Sequence, residues 1–251
     1  MKKRKIIDAL CSIGVMLALL AIWQGVVVAF NIPAYTLPTP IRVMNAFITK
    51  FSSTLLPSML MTLKVILIGF IIGAPIGIIL ATLMSQISVL NKALSPYIIV
   101  IVCTPLISLV PLMMLSLGYG SNVRVIAVVL QVFPIVMMNT FTGMNNVETI
   151  KLELMKSMGA SKLSTIFNVI IFDSLPQIFN GLRLGTILAT ITAISTEVVS
   201  GNEGLGNALM VAKGLLKMDL VLATVLCCAL IGILFYSLIM IVERKIIKWK
   251  I

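Results

Sequence analysis

Few side chains in this sequence are equipped for chemistry, and those that are gather in two places. Glu197 is a carboxylate firmly inside an apolar stretch, where an ionisable group is costly enough to point to ion coupling or a polar pathway. An interfacial carboxylate that snorkels or pairs locally reads the same way. The second place is the stretch from Asn145 to Asp173, which concentrates charge at helical spacing between two strongly hydrophobic blocks. Asn145 followed three residues later by Glu148 has the form of a capping box. Val147, Ile150, Leu154 and Met158 then recur at three- and four-residue steps on one helical face. Gly159 ends that helix, and Ser161 is placed to cap a second one with Leu163, Ile166, Phe167 and Ile170 as its apolar side. Two short amphipathic helices around a glycine bend make a docking element.

Other chemistry is missing from the sequence. It has no histidine, which removes the commonest general base and metal ligand. Cys11, Cys103, Cys227 and Cys228 fall in apolar runs, where they act as small apolar residues and support neither a disulfide framework nor a zinc site. No G-x-x-x-x-G-K-[ST], G-x-S-x-G or H-E-x-x-H pattern occurs, so nucleotide binding by a P-loop and the familiar hydrolase chemistries are not expected. Gly201 to Gly206 follows an apolar helix rather than a strand and has no lysine after it, so it reads as a turn. The expectation is a non-catalytic chain that binds no metal and no cofactor of its own.

The elements that must position these residues are membrane helices. The chain has 251 residues, of which 60% are hydrophobic and 11% charged, with a mean hydropathy of +1.16. Soluble domains carry about a quarter charged residues, so the expected class is an all-α, polytopic transmembrane bundle forming one domain. Six spans are expected, approximately 9–30, 58–84, 93–117, 123–142, 181–200 and 220–242, with a cytoplasmic loop at 145–176. The basic start MKKRK precedes a run too long for a signal-peptide core and lacking a small-residue cleavage site, so it begins a first span. Gly69, Gly73 and Gly77 repeat at four-residue spacing, which marks helix packing. Pro105 and Pro111 lie six residues apart near Thr104 and Ser108. They fit either a broken, path-lining helix or an ordinary proline kink.

The net charge of +11 has its explanation in the positive-inside rule, since a nucleic-acid binder needs its cations on one accessible face. With six spans, thirteen basic residues share a side with both termini: Lys2 to Lys5, Lys92, Lys151, Lys156, Lys162, Arg183, Arg244, Lys245, Lys248 and Lys250. Six lie opposite: Arg42, Lys50, Lys64, Arg124, Lys213 and Lys217. Cytoplasmic termini follow. Lys213, Lys217 and Arg124 would suit an outer-side anion, lipid headgroups or a docked protein.

The run Glu153-Leu154-Met155-Lys156-Ser157-Met158-Gly159-Ala160-Ser161 resembles the EAA loop of bacterial ABC importer permeases. Leu154 and Met155 replace the two alanines of that consensus. The resemblance extends from Leu37-Pro38-Thr39-Pro40 through Thr104-Pro105, Gly118-Tyr119-Gly120, Phe133-Pro134, Leu175-Pro176, Gly181-Leu182-Arg183 and Glu197 to Gly204-Leu205-Gly206 and Asp219-Leu220-Val221. It is nearest the permeases for nitrate, sulfonate and taurine, which include carriers of thiamine-precursor pyrimidines. It implies a type I importer permease in the bacterial inner membrane, handling a small polar or anionic solute. The implied partners are a second copy of the permease, two cytoplasmic ATPases that bind ATP and magnesium, and an external substrate-binding protein. Glu153, Lys156, Met158, Gly159, Ala160 and Ser161 would contact the ATPase. Thr104, Ser108, Asn139, Glu197 and Ser200 are the expected pathway residues. The alternative class is a stand-alone secondary carrier that couples ions through Glu197.

Overall fold

The computed structural model describes residues 2–118 and 120–248, with side chains from position 11 onward except at 12. Apolar residues at every helical position and few polar interruptions favour long helices buried on one side and lipid-facing on the other. Among the described residues all regular structure is helical. In order these are α1 (Lys2–Ala29), α2 (Pro40–Lys50), α3 (Leu56–Gln86), α4 (Ser88–Cys103), α5 (Leu106–Leu117), α6 (Ser121–Asn145), α7 (Thr149–Ser157), α8 (Lys162–Thr165), α9 (Ile171–Ser200), α10 (Gly204–Gly214) and α11 (Met218–Ile246). One π-helical turn, Phe51–Leu55, joins α2 to α3, and another, Ile166–Ile170, joins α8 to α9.

The centre of the bundle is α6, packed against α3 on one side and α9 on the other. The α3 glycines let backbones approach. A Cβ at Gly69 would lie 2.5 Å from the Val128 side chain, and one at Gly77 would lie 2.5 Å from the Phe133 carbonyl. Val65, Ile66, Phe70, Val128, Val132 and Val136 fill the space alongside, joined by Ala189, Ala193, Cys227 and Phe235 from α9 and α11. Phe70 and Phe235 meet edge to face with ring centroids 5.0 Å apart. Large apolar side chains such as Ile79, Leu115, Ile233 and Leu234 point outward, as a lipid-facing surface requires.

Among the described residues, four continuous helical stretches are long and apolar enough to cross a membrane: Pro40–Gln86, Ser121–Asn145, Lys162–Ser200 and Met218–Ile246. The expected single span at 93–117 is instead two helices, α4 and α5, meeting at 95°. The break is at Thr104-Pro105, where proline supplies no N–H and pushes its predecessor out of helical geometry. Pro111 stays inside α5 without a break. Counted as one span, the pair brings the total to five, and α1 adds a shorter apolar run, Ile13–Ala29. Only Trp23, Gln24 and Val27 of its described side chains are buried or half-buried. The fifth expected span begins earlier than Gly181, because α9 runs unbroken from Ile171 through Pro176. Tyr119 of the Gly118-Tyr119-Gly120 motif and Lys250 lie outside the described residues.

Candidate functional site

On the loop side, α6 continues through Asn145, so the expected capping box does not form; Glu148 occupies the N-cap of α7 without a side-chain cap bond. The end of α7 is as the glycine predicts. Gly159 has φ +68, its N–H donates to the Lys156 carbonyl, and the Ala160 N–H donates to Met155. That is a Schellman stop, which requires a left-handed residue. Ser161 caps α8 by accepting from the Ser164 N–H at 3.2 Å.

No residue of α7 is buried. Ile150 is 77% exposed, Leu154 59% and Met158 73%. Yet the helix is anchored at its base. Val147 packs with Met144 and Ile170, and Lys151 Nζ donates to Asp173 Oδ1 of α9 at 2.7 Å, with Glu148 3.6 Å away. The hydrogen bond to Asp173 holds the Lys151 ammonium above its ordinary value of 10.5, reinforced by the charges of Asp173 and Glu148. Glu153 and Lys156 are exposed. A groove of about 290 Å³ runs between α7 and α9, lined by Lys151, Leu154, Met155, Asn168, Val169, Phe172 and Asp173.

At the opposite end of α9, Glu197 is fully enclosed. Its Oε2 accepts from the Thr62 hydroxyl of α3 at 2.8 Å and from the Gly206 N–H of α10 at 3.1 Å. The Thr62 oxygen in turn accepts from the Leu205 N–H at 2.9 Å. Arg124 of α6 reaches within 4.0 Å of Glu197 Oε1 and bonds the Glu203 carboxylate and carbonyl at 3.3 Å. Arg124 is 4% exposed, so it faces neither headgroups nor a docked protein. Four elements thus converge on one carboxylate.

The turn at Gly201 to Gly206 does more than reverse the chain. Gly201 ends α9 with φ +66, and Gly204 has φ +89. A Cβ at Gly204 would overlap the Glu197 carboxylate, and one at Gly206 would lie 2.5 Å from the Ile194 carbonyl. These glycines let the start of α10 lie on the carboxylate. Thr62 and Arg124 carry no sequence signal for this role, whereas the glycine spacing after Glu197 does.

The five expected pathway residues do not form one cluster. Thr104 stands at the α4–α5 break, its hydroxyl donating to Val100, and Ser108 is exposed one turn on. Asn139 sits on the loop-side half of α6 and accepts from Asn180 at 2.9 Å. Asn180 lines a cavity of about 780 Å³ between α9 and α11, beside the Arg183–Glu243 ion pair at 3.3 Å. Ser200 donates to the Glu197 carbonyl.

Residues 73–248 match the family described as binding-protein-dependent transport system inner membrane component. The chain is 31% identical over 94% of its length to a riboflavin transport system permease protein of Chloroflexus aurantiacus, covering 88% of that protein. It is 26% identical over 95% of its length to the taurine transport system permease protein of Escherichia coli, covering 89%. It is 29% identical over 93% of its length to a formylaminopyrimidine transport permease protein of Halalkalibacterium halodurans, also covering 93%. Among solved structures, an amino acid ABC transporter shares the fold with a TM-score of 0.66 at 21% identity, covering 79% of this chain and 96% of that one. Broken helix, anchored loop and sequence match agree: the chain is a multi-pass membrane protein of the binding-protein-dependent transport system family, the permease subunits of ABC importers.

Proposed function

We propose that α7 is the element through which a separate ATPase drives this permease. The observation that carries this reading is a helix with uncovered apolar side chains, Ile150, Leu154 and Met158, on a loop fixed to α9 by Lys151–Asp173. Apolar side chains on a solvent-side loop call for a partner, and the anchor passes any push on α7 into a span. Glu153, Lys156, Met158, Gly159, Ala160 and Ser161 form the contact. Two ATPases, each holding ATP and magnesium, act on two copies of the permease, and an external binding protein delivers the solute. Both termini lie in the cytoplasm and six spans cross the inner membrane, α4–α5 being one and α1 another. Thr104, Ser108, Asn139, Glu197 and Ser200 belong to the walls of the pathway or to its support.

The solute is small and polar, of the sulfonate and taurine kind or the pyrimidine kind. The carrier alternative asks Glu197 to exchange ions with the pathway, but its carboxylate is 0% exposed and held by Thr62 and Gly206. The docking reading is tested by co-purification. Leu154→Asp places a charge in the apolar contact, and it is expected to release the ATPase subunit while the permease remains monodisperse. Retention of the ATPase at the wild-type ratio would refute the assignment of α7.

A further inference from the structure

Seven hydroxyl side chains lie along α9: Ser174, Thr186, Thr190, Thr192, Ser195, Thr196 and Ser200. Five of them donate to a backbone carbonyl three or four residues back, the usual way a helix satisfies a hydroxyl. Thr192 and Ser195 make no hydrogen bond among the described residues, and neither does the amide of Gln131 on α6. All three line the same cavity of about 180 Å³, which is completed by Thr196, Leu188, Ile191 and the first turn of α5 at Leu106 and Ile107. Gln131 and Ser195 are half-buried and the rim residues Ile107 and Ile191 are exposed, so the hollow opens on the surface of this chain; three uncommitted polar side chains facing one opening in an otherwise apolar wall point to a polar occupant.

The position fits a solute in passage. At 1.5 Å per residue, Thr192 lies about 12 Å below the end of α9 and Gln131 about 15 Å below the start of α6. That depth is near the middle of a hydrocarbon core about 30 Å thick. One wall is the α4–α5 break, where the first-turn N–H groups of Leu106 and Ile107 have no intrahelical acceptor. The volume equals about six waters at about 30 Å³ each, room for a small ring or an amide.

The lining contains no Lys, Arg, Asp or Glu, and the buried cation of the bundle, Arg124, is already engaged by Glu203 and Glu197. An ion entering here would shed its water without meeting a counter-charge. The amide and the two hydroxyls each donate and accept. We propose that this cavity is a transit site that takes an uncharged group with both donors and acceptors, of the carboxamide or pyrimidine type, held by hydrogen bonds alone. Weak binding of this kind lets a solute leave again. The proposal rests on the permease reading and specifies what passes through it.

The experiment uses the full permease assembled with its ATPase in lipid nanodiscs, its four native cysteines replaced by alanine. Ser195→Cys and Thr192→Cys are introduced singly and treated with neutral, anionic and cationic methanethiosulfonates, rates being normalised to a free thiol. The neutral reagent is expected to react about tenfold faster or more than either charged one, as desolvation of an unpaired charge dictates. Lipid-facing Ile79→Cys should stay inert, because only the thiolate reacts. Uracil should slow the neutral reagent at Ser195→Cys, taurine should not, and Gln131→Leu should abolish the protection. Equal rates for the anionic reagent, protection by taurine rather than uracil, or no reaction at either cysteine in any nucleotide state would each overturn the site. ATP hydrolysis by the same assemblies reports separately on whether the permease is coupled.

Discussion

The Glu197 cluster makes a residue-scale claim that substitution can rank. Taking the acceptor away from a buried donor costs about 1–3 kcal/mol for each group left unpaired. Glu197→Ala should therefore lower stability by that order, while Glu197→Gln retains an acceptor for Thr62 and Gly206 and should lose less than half as much. Thermal unfolding in detergent reads the order, and equal effects of the two would mean that the carboxylate's hydrogen bonds do not hold α10. Lys151 makes a claim about pH. Its raised value means that the bond to Asp173 adds stability below the ordinary 10.5 and loses it as pH rises through the higher folded value. Protection of the α7 amides from hydrogen exchange, corrected for intrinsic rate, should stay level from neutral pH to about 10 and fall only beyond it. A fall near neutrality would assign the anchoring to some other group.

At the scale of elements, the seam between α3 and α6 holds two glycines of one four-residue repeat. A methyl at Gly69 would lie 2.6 Å from Val128 Cβ and 2.5 Å from its Cγ1, in a buried and stiff β-branched residue, and one at Gly77 would meet backbone atoms of Phe133 and Met137, so neither neighbour can step aside. Gly69→Ala and Gly77→Ala should each cost about 1–3 kcal/mol, as overpacking does; unfolding midpoints at the wild-type level for both would contradict this packing. The four-residue glycine spacing was readable from sequence because close helix approach is a local requirement. So was the stop at Gly159, which a left-handed backbone imposes. The Asn145 cap was misread because α6 gains more by continuing one further turn than the polar pair does by starting α7. Two readings were open at Pro105, and the 95° break resolves them in favour of a broken helix. The partners of Glu197 were out of reach, since Thr62 lies 135 positions away and looks like any hydroxyl that bonds its own helix. Which hydroxyls of α9 stay uncommitted is likewise decided by rotamer and neighbour.

At the scale of the whole molecule, α9 is tied to its surroundings at both ends. Asp173 near its start ties the span to α7, and Glu197 near its end ties it to α3, α6 and α10. On the proposed reading, a displacement at α7 would reach the far end of the bundle through one continuous helix, and differential contact of an ATPase with two states of that arrangement would supply the coupling. The decisive measurement is ATP hydrolysis stimulated by the solute-loaded binding protein in the reconstituted complex. Gly159→Pro cannot adopt φ +68 and removes the Schellman N–H, and Glu153→Arg reverses a charge on the exposed helix α7. Both variants should keep the folded, co-purifying permease and lose the stimulation; stimulation at the wild-type level in both would contradict the coupling role of α7.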